Sequence, residues 1–247
     1  AMAGGYVTVI LMNRYGVSFF WCLPAAFLVS ALAGLVLERL LYRHLYGVSH
    51  LDQVLFSIGL VFMAIAGVDF FMGGQQQLIN LPPILSGRVE ILGISMGRYR
   101  LFIIALCAVL TVLLQLALTR TRFGSQLRAA VDDGRVARGL GINVSVIFAL
   151  TFALGSGLAG LGGALGVDLL GLDPNFPLKF LIFFLIVVTV GGTSSITGPF
   201  IAALMLGIAD VAGKYYVPDL GAFIIYAVMI VMLILRPYGL FAREGGR

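Results

Sequence analysis

Few residues of this chain are suited to acid–base or nucleophilic chemistry. The phosphate-binding pattern GxxxxGK[ST] is absent from the sequence. Ser156 lies between two glycines, but a serine nucleophile needs a base, and the only histidines, His44 and His50, lie far earlier in the chain. Neighbouring carboxylates occur at Asp132 and Asp133, within a strongly basic loop. The sequence therefore predicts no catalytic residues, and it predicts no cofactor or metal site.

The composition excludes a soluble domain. Of 247 residues, 60% are hydrophobic and 11% are charged, whereas soluble domains average about a quarter charged residues. This excludes an ordinary cytosolic enzyme, a nucleic-acid-binding module and a disordered tail. The apolar runs are continuous rather than alternating, which disfavours a membrane β-barrel. We therefore expect an all-α, polytopic transmembrane helical bundle.

The apolar segments predict about seven membrane spans within a single domain, residues 1–247. Segment 1–12 is typical of the tail of an interrupted hydrophobic helix, so we expect the natural N-terminus to be incomplete. Within the polar stretch 73–100, the pattern of residues 89–94 predicts a short hairpin or an extended loop. Two segments are nearer 15 than 20 residues, which predicts short broken elements at 178–213. The predicted spans are 17–37, 51–72, 101–118, 144–166, 178–191, 198–213 and 220–235.

The basic residues indicate orientation. Most of the 16 lysines and arginines fall on one side of the membrane if the basic loop 119–143 is cytoplasmic. Positively charged loops favour the cytoplasmic side. We therefore expect both this loop and the C-terminus to be cytoplasmic.

A carboxylate within a predicted span is a candidate for the translocation path. Asp210 lies late in segment 198–213, where an acid should face a cavity or a partner rather than lipid. The alternative is an interfacial or partner-paired acid near the outer leaflet. The turn before this segment contains Gly191, Gly192 and Ser195, and such elements need cover from protein or a water-filled cavity. These three residues are therefore further path candidates.

Small residues four apart in segment 144–166 predict close helix packing. The pattern places Gly157, Gly162 and Gly166 among the packing residues. Two interpretations stay open, a subunit or pore interface and ordinary packing within the chain.

The loop 119–143 carries an amphipathic pattern. Phe123, Leu127, Ala130 and Val131 are predicted to share one face of a short helix, and Gly134 allows a bend before a second short turn. A short amphipathic helix between spans can lie along the interface and contact a soluble partner. The alternative is a simple positively charged cytoplasmic loop.

The residues of this loop carry a family resemblance. The stretch 123–133 followed by 137–142 resembles the cytoplasmic coupling loop of branched-chain amino acid ABC importer permeases. Three further blocks are similar to the LivH-type branch, and all occur in the order and spacing of that family. These blocks are residues 37–43, 190–199 and 235–241.

The resemblance implies a multi-pass permease of the bacterial inner membrane, importing branched-chain or related amino acids. It implies a second, LivM-type permease, two cytoplasmic ATP-binding subunits that hydrolyse ATP, and a periplasmic substrate-binding protein. It also places one set of residues in an ATPase-docking motif: Gly124, Arg128, Ala129, Ala137, Gly141 and Ile142. Urea and short-chain-amide permeases share the same blocks, so that substrate class stays open. The alternative outside the ABC importers is an ion-coupled secondary transporter or a channel.

Overall fold

The chain folds almost entirely into helices. The computed structural model describes residues 1–42, 45, 49–79, 81–91, 94–192, 197–218 and 221–235. A five-residue π-helical turn, Glu38–Tyr42, extends the second helix. The helices are α1 Met2–Tyr15, α2 Phe19–Leu37, α3 His50–Met72, α4 Arg98–Arg120, α5 Arg122–Asp132, α6 Gly134–Gly139, α7 Val144–Leu170, α8 Phe176–Gly191, α9 Thr197–Tyr216 and α10 Gly221–Leu235.

Among the described residues, five helices are long and apolar enough to cross a membrane. They begin at Phe19, Leu51, Arg98, Val144 and Thr197 and have 20 to 27 residues each. The protein is therefore an all-α, multi-pass membrane bundle, as predicted.

Two local predictions have different outcomes. The predicted hairpin is confirmed, because strands β1 Arg88–Ile91 and β2 Ile94–Gly97 pair antiparallel. The predicted short segment 198–213 is wrong in length, because α9 has 20 residues and is long enough to span. Its helix continues through Lys214 to Tyr216, polar and aromatic residues that the apolar pattern alone did not include. Of the two segments predicted to be short, α8 is as short as expected, with 16 residues.

The chain divides into two compact units. The first comprises residues 1–109 and 116–177 and is built on the pairing of α2 with α7. These helices run antiparallel, because Ser156 lies against Gly34 while Gly160, one turn later, lies against Ser30. Small residues at these positions let the two backbones approach closely. Helix α1 packs on both.

The second unit comprises residues 110–115 and 178–247. Helices α8 and α9 contribute its buried core, and α10 packs against that core. The core residues are Ile186, Val190, Ala202 and Leu206, contacted from α10 by Val228, Met229 and Met232. That the two units form one domain stays a prediction.

Candidate functional site

The loop 119–143, here called the docking segment, consists of two short helices with well-defined starts. The Thr121 hydroxyl accepts a hydrogen bond from the Gly124 N–H at 3.3 Å, and this caps α5. The Asp133 carboxylate accepts bonds from the N–H groups of Arg135 at 2.8 Å and Val136 at 3.1 Å, and this caps α6. Such caps satisfy N–H groups that have no partner inside a helix. The amphipathic helix predicted in this loop is confirmed.

The end of α6 is fixed by a left-handed glycine. Gly141 has φ 84°, in the left-handed region that favours glycine after the end of a helix. Its N–H donates to the Arg138 carbonyl at 3.0 Å, and the Ile142 N–H donates to the Ala137 carbonyl at 3.0 Å. This pair of bonds is a Schellman motif, and it directs the chain into α7. Asn143 then caps α7 by accepting from the Val146 N–H at 3.2 Å.

The inner face of the docking segment packs on the start of α7. Its buried residues are Ala130 of α5 and Ala137 of α6, together with Val144 and Ile147 of α7. Four partly buried side chains surround this core: Phe123, Leu127, Ile142 and Phe148. The predicted apolar face is therefore correct for three of its four residues.

Val131 was assigned wrongly to that face. Its side chain is 67% exposed, because it lies about 100° around α5 from the buried Ala130, at the edge of the apolar stripe rather than at its centre. The apolar stripe that contacts α7 is narrower than the sequence pattern suggested.

The docking segment is also joined to the end of α4. The Arg128 guanidinium donates a hydrogen bond to the Leu118 carbonyl oxygen. Gly124, one turn earlier on α5, is buried against the same carbonyl, and a Cβ added there would overlap it. One carbonyl of α4 thus meets two of the residues predicted to form the docking motif.

The structure places the six predicted docking residues in one segment but in different environments. Gly124 and Ala137 are buried, Ala129 and Ile142 are partly buried, and Arg128 and Gly141 are exposed. Their contact with an ATP-binding subunit stays a prediction. The hydrogen bond of Arg128 and the close contact of Gly124 with the Leu118 carbonyl are not predictable from the sequence, since neither polarity nor spacing signals them.

The path candidates lie in the second unit. The Asp210 carboxylate pairs with the Lys214 ammonium at 2.6 Å on the same helix, and the side chains are 22% and 59% exposed, respectively. A Cβ added to Gly191 would overlap the Pro199 backbone, and Gly192 has φ 80° after the last turn of α8. Ser195 lies outside the described residues. That these residues line a translocation path stays a prediction.

The three predicted packing glycines differ in their surroundings. A Cβ at Gly157 would lie 2.7 Å from the Phe27 ring of α2, and one at Gly166 would make ordinary contact with Leu170 at 3.5 Å. Within the described part of the chain, a Cβ at Gly162 would meet nothing within 4 Å. Gly160, which the small-residue pattern did not single out, lies closest to α2, because a Cβ added there would overlap the Ser30 side chain.

Long apolar helices joined by a folded, basic connecting segment define a multi-pass helical membrane protein. The chain belongs to the family described as "Branched-chain amino acid transport system / permease component", whose model matches residues 1–233. Members of this family are permease components, so the chain is a transport subunit rather than an enzyme. The resemblance found in the sequence is confirmed.

Curated relatives agree with this assignment. The chain is 27% identical to the high-affinity branched-chain amino acid permease BraD of Pseudomonas aeruginosa, covering 98% of this chain and 83% of BraD. It is 28% identical to LivH of Escherichia coli K12, with the same coverage. It is 27% identical to LivM of Salmonella typhimurium, covering 96% of this chain and 60% of LivM. No solved structure matches significantly.

Proposed function

We propose that this chain is the LivH-type permease subunit of an ABC importer in the bacterial inner membrane, translocating branched-chain or related amino acids. The observation that carries the proposal is the fold of the docking segment. Two capped helices are packed on α7 and bonded to α4, which gives a rigid element rather than a loose charged loop. The similarity to BraD and LivH supports the substrate class.

The importer has four kinds of subunit. A LivM-type permease pairs with this chain, two ATP-binding subunits contact the docking segment from the cytoplasm, and a periplasmic binding protein delivers the amino acid. Similarity to both LivH and LivM supports a system with two related permeases. The proposed topology has about seven spans, with α8 and α10 completing the five longer helices.

Transport depends on movement that passes from the docking segment to the membrane helices. When ATP binding closes the two ATP-binding subunits, the docking segment moves with them. The segment is bonded to the Leu118 carbonyl of α4 and packs on Val144 of α7, so both helices move with it. The amino-acid cavity then changes from outward-facing to inward-facing. ATP favours one of these two states because the ATP-binding subunits bind ATP with higher affinity in that state than in the other.

The path residues have proposed roles in that change. Gly191 is the last residue of α8, Gly192 follows it, and Asp210 lies in α9, while Ser195 is carried over from the sequence pattern alone. The close approach of Gly191 to Pro199 supports a tight contact between the end of α8 and the start of α9. We assign Gly191, Gly192, Ser195 and Asp210 to the lining of the path.

The test is uptake by the full chain, reconstituted in proteoliposomes with its partner permease and ATP-binding subunits. Addition of the binding protein and internal ATP should drive uptake of radiolabelled leucine. Unlabelled urea and acetamide should not compete, which separates the amino-acid permease from a urea or amide permease. Uptake that needs an ion gradient but no ATP would instead identify a secondary transporter.

A further inference from the structure

Three aliphatic side chains of the docking segment are exposed although none of them lies in a candidate membrane span. Val131 of α5 is 67% exposed, Val136 of α6 is 59% exposed, and Leu140 at the end of α6 is 74% exposed. Exposed apolar side chains grouped within one short segment mark an interaction site more often than scattered ones do.

The exposed side chains lie beside the residues that hold the segment in place. Val131 directly follows the buried Ala130, and Val136 directly precedes the buried Ala137. The exposure of both valines shows that their side chains lie largely outside the contact with α7. Leu140 is the C-cap residue of α6, and its N–H donates to the Val136 carbonyl at 3.1 Å, which places it one turn after Val136.

The docking-motif residues, by contrast, are engaged within the chain. Gly124 and Arg128 meet the Leu118 carbonyl, and Ala137 is 1% exposed. Ile142 packs on the same core and completes the Schellman motif. These four residues fix the shape of the segment, and they leave other side chains to contact a partner.

The surrounding charges favour protein over lipid as that partner. Exposed Asp132 and Asp133 lie between Val131 and Val136 in the chain, and an anionic membrane surface repels carboxylates. Exposed Arg135 and Arg138 alternate with the apolar residues of α6. An apolar centre with a charged, arginine-containing rim is the usual anatomy of a protein interface.

We infer that Val131, Val136 and Leu140 are the apolar anchors through which the docking segment binds an ATP-binding subunit. The groove that receives them is apolar at its centre and carries carboxylates opposite Arg135 and Arg138. This inference rests on the proposed function and adds to it a division of labour. The motif residues shape the segment, and the three aliphatic side chains make the contact.

Cysteine protection tests the contact in the assembled complex. In a background without Cys22 and Cys107, Val136→Cys and Leu140→Cys are treated with a membrane-impermeant maleimide in inside-out vesicles. Labelling should be at least fivefold slower when the ATP-binding subunits are present than when they are absent. The exposed Gln126 of α5 provides the matched control, because Gln126→Cys should label at the same rate in both vesicles.

Charge substitution provides the second readout. Val136→Asp and Leu140→Asp should each lower copurification of tagged ATP-binding subunits at least tenfold, while Gln126→Glu leaves it unchanged. If the unmodified chain retains no ATP-binding subunits, the proposed function fails. If it retains them and the Asp variants retain them equally, only the anchor assignment fails. A cysteine at residue 136 that is unreactive without ATP-binding subunits, and reactive in detergent, would overturn the inference in favour of lipid.

Discussion

The Arg128 guanidinium bonds to the Leu118 carbonyl oxygen, so a residue of α5 closes the end of the membrane helix α4. The last carbonyls of a helix lack partners within it, and a cation is favourable at this end. The bond therefore stabilises the end of α4 and fixes the direction in which α5 leaves the membrane. This contact joins the docking segment to the last turn of α4.

Replacing Arg128 by Ala should uncouple ATP hydrolysis from transport. The Leu118 carbonyl loses its charged donor, which is worth about 1.5–3 kcal/mol, discounted here because the arginine is exposed. We expect leucine uptake in proteoliposomes to fall at least fivefold while ATP hydrolysis persists. Arg128→Lys should recover part of the uptake, since an ammonium can reach the same carbonyl. Full uptake by Arg128→Ala would show that this bond is dispensable.

Gly124 should tolerate no side chain. A Cβ at this buried position overlaps the Leu118 carbonyl, which is backbone and cannot move aside cheaply. Gly124→Ala should therefore push α5 away from α4, at a cost of about 1–3 kcal/mol. Limited proteolysis of the detergent-solubilised protein should show faster cleavage within residues 119–143. Gly139→Ala is the control, because its Cβ meets nothing within 4 Å and cleavage should stay unchanged.

Gly141 should be sensitive for a different reason, its backbone conformation. At φ 84° an alanine costs about 1 kcal/mol, because its Cβ crowds the following carbonyl. Gly141→Ala should loosen the Schellman motif and lower the melting temperature by a few degrees. Gly141→Asn should lower it less, since asparagine tolerates this region better. Equal melting temperatures for all three proteins would contradict the assignment of a strained cap.

Asp210 can be tested apart from its ion pair. We expect Asp210→Ala to change uptake kinetics while copurification of ATP-binding subunits stays the same. The pair with Lys214 contributes little to stability where it is exposed, about 0–1 kcal/mol. The exchange Asp210→Lys with Lys214→Asp restores the pair but moves the carboxylate by one helical turn. Restored uptake in the exchanged protein would assign Asp210 to the ion pair alone.

The sequence predicts that the docking segment contains a short amphipathic helix, but it does not predict which residues of α4 this helix contacts. The spacing of Phe123, Leu127 and Ala130 predicts the helix correctly, because period 3.6 is a property of the local sequence. The same pattern also places Val131 on the buried face, because the sequence of α5 does not show how much of its apolar stripe α7 covers. The bond from Arg128 to Leu118 depends on the angle between α4 and α5, and no local pattern specifies it.

The packing of α7 shows the same limit on what its sequence predicts. Gly160 and Gly162 are both glycines with a small residue four positions away, so the sequence alone ranks them equally. The position of α2 decides between them, because Ser30 lies against Gly160 and no described residue lies against Gly162.

That difference gives a direct comparison of two substitutions in α7. Gly160→Val should separate α7 from α2, since its Cβ would already lie 2.4 Å from the Ser30 Cβ, and overpacking costs about 1–3 kcal/mol. Gly162→Val should leave the isolated chain as stable as before, because its Cβ meets open space. Thermal unfolding in detergent checks both. If Gly162→Val nevertheless abolishes assembly with the second permease, this face of α7 contacts that subunit. A Gly160→Val protein that unfolds at the original temperature would contradict the close α2–α7 contact.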